Sequence, residues 1–454
     1  MRFSRLLAVL AVVCVIAACS GGSGAPIAQS SAPSSSSSKS GKANKNKNNS
    51  TDSGSVDQGD DTGGTGKDCP NPPAESGLTA TATALSDTVQ AVVFPLPNHA
   101  GNPWSQWGIG AFGDGKFFSA IGDHCAQNGD SYIYEFDPST STLHLLTDAL
   151  SVIGHKDGDW GYGKIHARMI NGADGAIYVT TYWGASTGLT FTSGYDGDAM
   201  LRIDPASGQV TNLGVPIPKH GVPSLVGSLD GKTIYGEAID PISGERDGLF
   251  FAYDIAQRKV VFQMDKPSGV KGYRNILVDA SGKAWFSIGA NQVAIYDPST
   301  NTATTSNQTL PGIYLRASTR PAPDGTVYGI TASPDMLFKV TSDGQLHTMG
   351  PVRGYTASVA MSQDGSKLYY VPDAHGTSYE QGTPVIEVDT ATGTEREVVR
   401  LDDLAEAKLH LRLGGSYDVV LDPSGNSLYI GLNGGDPAAK EAFGAIVLAI
   451  VKLH

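Results

Sequence analysis

Cysteine is scarce in this chain, with 4 among 454 residues. Once the leader is set aside, that leaves room for a single intramolecular bridge. Long apolar runs are missing too. The main one, Leu6 to Ala18, is too short and wrongly flanked to span a membrane. Positive charge is in deficit: the net charge is −13, which argues against nucleic acid as a partner. Charged residues make up only 17%, whereas glycine numbers 56, a balance suited to many short strands and turns. The ten histidines include no His-x-His or His-x₃-His pair. That lowers the case for a transition-metal site, so no metal is assigned and the cofactor stays unknown.

The chain begins with an address. Arg2 and Arg5 precede the apolar stretch, which ends Ile16-Ala17-Ala18-Cys19 before Ser20-Gly21-Gly22. This resembles a bacterial lipoprotein signal (residues 1–19), with cleavage before Cys19 and lipidation of that cysteine. It implies a protein of the cell envelope, held on a membrane by acyl chains and facing away from the cytoplasm. Residues 20–67 are Ser, Gly, Asn, Lys and Asp with almost nothing apolar, the composition of a flexible tether. A folded domain is expected over 68–454. In an exported protein Cys69 and Cys125 would be the remaining pair, and their bridge would pin the tether to the folded body.

A recurring phrase sets the architecture: Phe136-Asp137-Pro138-Ser139-Thr140, Ile203-Asp204-Pro205, Tyr253-Asp254, Tyr296-Asp297-Pro298-Ser299-Thr300 and Val388-Asp389-Thr390. Each copy lies between alternating apolar runs, which reads as strand, tight turn, strand. A second family of turns comprises Asp114-Gly115, Asp174-Gly175, Asp230-Gly231, Ser281-Gly282, Asp324-Gly325, Asp364-Gly365 and Ser424-Gly425. These seven turns recur at intervals of about 40 to 60 residues. The fold class is therefore all-β: a seven-bladed β-propeller of four-stranded blades. The last unit is one strand short, and Thr88–Leu96 is expected to supply its outer strand. A monomer is expected.

Register then places side chains. His99, His155, His220 and His410 precede inner strands, His166 lies near the start of one, and His124 and His375 follow second strands; all seven belong to one face. Only His144 and His347 fall in outer strands, with His454 at the terminus. In blade two, Lys164, His166 and Arg168 alternate and share one side of the segment lining the channel. Counting back from each turn gives Gln106, Val222, Tyr273, Arg316, Thr356 and Ser416 as the equivalents of His166, with Arg274 and Tyr417 one residue further on. Lys164, Arg168, Arg274 and Arg316 would make a basic mouth suited to a carboxylate or sulfate. Trp104, Trp107, Trp160, Tyr182 and Trp183 fall near the same rim, where flat rings can stack on sugar faces. The plain alternative is a wet channel with solvated polar lining. The loop Gly184 to Asp198 is long enough to act as a lid.

The segment Gly-Lys-Ile-His-Ala-Arg followed by Asp-Gly-Ala-Ile-Tyr resembles the propeller polysaccharide lyases of the oligogalacturonate and ulvan type. That resemblance implies β-elimination on an anionic polysaccharide or small molecule. Arg274, Arg316 or Arg168 would neutralise the carboxylate, His166 and His155 would serve as base and acid, and Tyr182 would be a further acid, with Lys164 and Trp183 holding substrate. A second comparison is the senescence-marker/gluconolactonase family, whose metal ligands would fall to Glu237, Asn275, Asn291 and Asp418. A third reading is a non-catalytic binding or assembly platform. Sequence alone leaves catalysis open.

Overall fold

The computed structural model describes residues 72–454 except 102–103, 126, 185–188, 243–247, 266–267, 271, 273–274, 375–381, 439–442 and 454. Cys19, the tether, Cys69, Tyr273, Arg274, His375 and His454 lie outside the described residues. The predicted Cys69–Cys125 bridge is among the expectations that fall there; Cys125 itself is buried.

Seven antiparallel sheets form a ring of blades. Blade three is representative: Gly221–Gly227, Thr233–Ile239, Gly248–Asp254 and Lys259–Gln263 pair in chain order from the channel outward. Two sheets depart from four strands. Blade one adds Thr79–Thr81 outside Thr142–Asp148. In blade seven, Arg412–Leu421, Ser427–Gly435 and Ala445–Lys452 are followed by Val89–Val93 and then Thr83–Ala84. Val89 sits opposite Val451 and Val93 opposite Val447.

The two turn families do different physical work. In the inner turns the glycine is left-handed in every case: Gly115, Gly175, Gly231, Gly282, Gly325, Gly365 and Gly425 have φ of 76, 80, 69, 84, 85, 75 and 78°, a region that costs side-chain-bearing residues strain. In the recurring phrase the aspartate folds back on its own backbone. Asp137 Oδ1 accepts from Ser139 N at 2.8 Å, and Asp297 Oδ1 from Ser299 N at 2.9 Å. Asp137 and Asp297 are held below the usual carboxylate range first by the hydroxyls of Ser139 and Ser299 and then by these backbone bonds, Asp204 by the Ser207 backbone N–H, and Asp389 first by the Lys367 ammonium. The phrase is thus scaffold: an Asx turn between third and fourth strands.

Blades pack through apolar clusters that bridge neighbours. Between blades seven and one, Val92 and Phe94 join Phe117, Tyr132, Tyr134, Tyr429 and Ile446 in one buried group. Between blades three and four, Phe250 and Phe286 stack with centroids 4.2 Å apart.

Candidate functional site

Inner strands converge on a channel, and one narrow cavity in it is lined from all seven blades by Trp107, His166, Arg168, Leu225, Asn275, Arg316, Ala357 and Tyr417, among others. Of the seven positions reached by counting back from the turns, His166 and Arg316 line this cavity. In blades one, six and seven the lining residue is one further along: Trp107, Ala357 and Tyr417 in place of Gln106, Thr356 and Ser416. In blade three it is Leu225 rather than Val222. In blades three and seven the offset accompanies irregular pairing of the inner strand. Register shifts occur between Gly221 and Ser224, between Leu315 and Ala317, and twice between Leu413 and Asp418. Each extra residue reverses which side chains face inward.

Gln106, turned away from the channel, joins the first and last blades instead. Its Nε2 donates to Ser119 Oγ and to Asp418 Oδ2, both at 2.7 Å, and its backbone N donates to Asn433 Oδ1 at 2.7 Å. Asp418 Oδ1 accepts from Gly110 N at 2.9 Å. Burial pushes Asp418 up to about 7, only partly offset by these bonds and by Arg168.

At the centre of the upper channel stands Trp107. Its indole N lies 2.6 Å from Ser105 Oγ, and that hydroxyl is 2.7 Å from His124 Nε2. Lys164 Nζ lies 4.5 Å over the Trp107 ring. Tyr417 and Phe443 flank Trp107 with centroids at 4.7 and 5.6 Å. On another side, His166 lies parallel to Trp107 at 6.2 Å and stacks on Tyr182 at 4.6 Å. The backbones of Lys164 and Tyr182 exchange hydrogen bonds of 3.3 and 2.8 Å, which fixes that stack. His166 Nδ1 lies 3.2 Å from the Pro223 carbonyl. A carbonyl can only accept, so Nδ1 carries a proton in this contact.

Arg168 crosses the channel, its Nη2 donating to the blade-five carbonyl of Ser318 at 3.4 Å. Arg316 donates through Nε to Tyr355 Oη and through Nη1 to Ala357 O at 3.3 Å. A carboxylate that sequence reading overlooked, Asp335, acts on Arg316. Asp335 is pushed up to about 6 by burial and by Asp373, against the pull of Arg316. Asp335 and Asp373 lie just after second strands, in the same class of connection that holds His124. Searching those connections for acids as well as histidines would have found them.

Other expected members stand apart. His155 is engaged locally, its Nε2 3.0 Å from Asp159 O, and the structure does not bring it beside His166. Trp183 stacks on Tyr182 at 3.9 Å and is buried with Trp160, Tyr162 and Tyr195 rather than presented at a rim. The described part of the expected lid is pinned to the body. Asp198, fully buried, accepts from Tyr195 Oη at 2.9 Å and from Val222 N of blade three at 2.7 Å.

The four positions considered as lactonase-type ligands do not converge. Asn275 lines the channel, Glu237 accepts from Ser224 Oγ at 2.7 Å, Asp418 faces Gly110 and Gln106, and Asn291 holds a left-handed position with φ 53°. Among the described residues no group of three or more His, Cys, Asp or Glu has the spacing to hold a metal ion.

No protein-family model matches the chain, and no curated protein matches it. Among solved structures, a streptogramin B lyase aligns with TM-score 0.51 at 13% identity, over 82% of this chain and 100% of that one. Virginiamycin B lyase from Staphylococcus aureus aligns with TM-score 0.51 at 12% identity, over 80% of this chain and 99% of that one. An oligogalacturonate lyase in complex with manganese aligns at TM-score 0.48 and 12% identity, over 85% and 98%. At such identities the first two show a common propeller fold.

Proposed function

We propose that this propeller is a lyase that cleaves an anionic carbohydrate by β-elimination in the upper channel, and that acylated Cys19 holds it at the cell envelope. One observation carries the catalytic reading: an oriented imidazole, His166, lines the same cavity as the guanidiniums of Arg168 and Arg316. Arg316 would pair with the substrate carboxylate and so acidify the adjacent C–H. His166 Nε2 takes that proton. The freed electron pair forms a C=C bond to the β-carbon, whose C–O bond breaks, and the leaving oxygen takes a proton from the Tyr182 hydroxyl stacked on the imidazole.

The reading is tested by ultraviolet absorbance of the conjugated product when purified protein meets polygalacturonate, alginate, ulvan and heparin. His166→Ala is expected to lower the rate on the order of 10²–10⁴-fold with folding intact. No absorbance from any of these polymers would sink it. Burial favours a second reading, a non-catalytic glycan platform: Lys164, His166 and Tyr182 are only 3, 5 and 7% exposed. Retained glycan affinity in His166→Ala, with no turnover by the parent protein, would support that alternative.

The acid that acts on Arg316 gives a pH expectation. Asp335 titrates at about 6, so above that pH its carboxylate competes with an incoming anion for Arg316. Affinity for an anionic glycan is expected to weaken as pH rises from 5 to 7, and Asp335→Asn to flatten the dependence. Calorimetric titrations across that range check it; an identical pH profile in the variant would refute the role of Asp335.

A further inference from the structure

Beyond the upper channel lies a second cavity, of about 400 Å³, opening toward the face of the D-G-type turns. Its wall is a ring of apolar side chains from successive blades, including Ile109, Ile170, Val226, Val278, Val359 and Val419. Two cations interrupt that wall, Arg168 deep in the channel and Arg320 nearer solvent. Both are tied to backbone carbonyls: Arg168 to Ser318 O at 3.4 Å and Arg320 to Leu229 O at 3.0 Å. Among the described residues neither has a carboxylate within ion-pair distance. Asp418 acts on Arg168 from further off, but its two oxygens are already engaged by Gly110 and Gln106.

For the more enclosed Arg168, a guanidinium in an apolar wall without a counter-ion is costly unless an anion arrives. Burial and the neighbouring Arg320 together lower Arg168 to about 10, the direction expected for two cations sharing a space that lacks its anion. An inorganic anion would satisfy the charges and leave the apolar ring wet. A neutral apolar molecule would do the reverse. The volume falls within the range of small-molecule sites, which combine mostly apolar linings with a few placed polar groups.

We propose that this cavity binds a medium-chain organic carboxylate, with its head between Arg168 and Arg320 and its apolar tail against the ring of aliphatic side chains. The site adjoins the proposed catalytic one. The two cavities share Ile109, Arg168 and Val226, but His166 and Arg316 line only the upper one and Arg320 only the lower.

Calorimetry on the purified protein with decanoate and with decanol tests this directly. One decanoate per chain is expected, bound at least tenfold more tightly than decanol. Arg320→Ala should weaken decanoate at least tenfold and leave decanol unchanged, and Arg320→Lys should restore part of the loss. His166→Ala should bind decanoate as the parent does, whatever becomes of its lyase activity. Absence of decanoate binding, or equal binding of acid and alcohol, or full affinity in Arg320→Ala, would overturn the proposal. Arg320 is exposed, so its replacement leaves the fold available for the measurement.

Discussion

Val92→Asp is expected to abolish cooperative folding or to lower stability by more than about 4 kcal/mol. Val92 is 1% exposed. It lies on Val89–Val93, paired through residue 448 with Ala445–Lys452, and its side chain belongs to the cluster holding Phe117, Tyr132, Tyr134 and Tyr429. The substitution therefore does two things at once. It removes aliphatic area from the contact between the first and last blades, and it buries a carboxylate among aromatic and aliphatic side chains. Val92→Ala isolates the first effect and is expected to cost about 2 kcal/mol. Against a total stability of roughly 5–15 kcal/mol, the aspartate alone can unfold the domain. Urea melts followed by tryptophan fluorescence measure both variants. If Val92→Asp melted within about 1 kcal/mol of the parent, the strand's place in blade seven would be wrong.

Asp418→Asn is expected to stabilise the protein at pH 8 by up to roughly 4 kcal/mol and to change little at pH 4. The folded chain holds Asp418 near 7 rather than at its ordinary 3.8, because burial disfavours the charged form more than the Gly110 and Gln106 hydrogen bonds favour it. An unfolded chain releases this proton first. Stability from Asp418 is accordingly full below about pH 4 and is lost as pH rises toward 7. Asparagine keeps the acceptor for Gly110 N. Its amide N–H can also serve Gln106 Oε1, a buried oxygen with no hydrogen-bond partner among the described residues, once the Gln106 amide turns over. Urea midpoints for parent and variant at pH 4.5, 6 and 8 decide the matter. Parallel pH dependences in the two proteins would show that Asp418 does not carry this term.

Legibility in the sequence followed the range of the interactions. The seven inner turns and the Asx phrase were readable because their chemistry is complete within four or five residues: a glycine with positive φ, or an aspartate bonding to the backbone two residues on. Asp297 and Ser299 need no distant partner to make their turn. The pairing of Val89–Val93 with Ala445–Lys452 was reachable by counting, since the last unit is one strand short in the sequence. The channel lining was readable only in part. His166 and Arg316 were reached by counting, while Tyr417 and Leu225 were displaced where the inner strands of blades seven and three pair irregularly with their neighbours. Asp335 escaped because nothing local marks a carboxylate as perturbed; its shift comes from burial and from Asp373.

Sequence by itself determined the architecture and the class of residue available to the channel, since a period of strands and turns is a local code repeated down the chain. Only the tertiary structure decided which of those residues meet. His166 comes beside Tyr182 and Arg316 comes opposite it because blades two and five face one another across the ring. Gln106 and Asp418, more than 300 residues apart, share a buried hydrogen bond because the last blade returns to the first. Arg168 and Arg320 border one apolar cavity for the same reason: convergence of seven strands on an axis is a property of the closed arrangement of sheets, and no single segment encodes it.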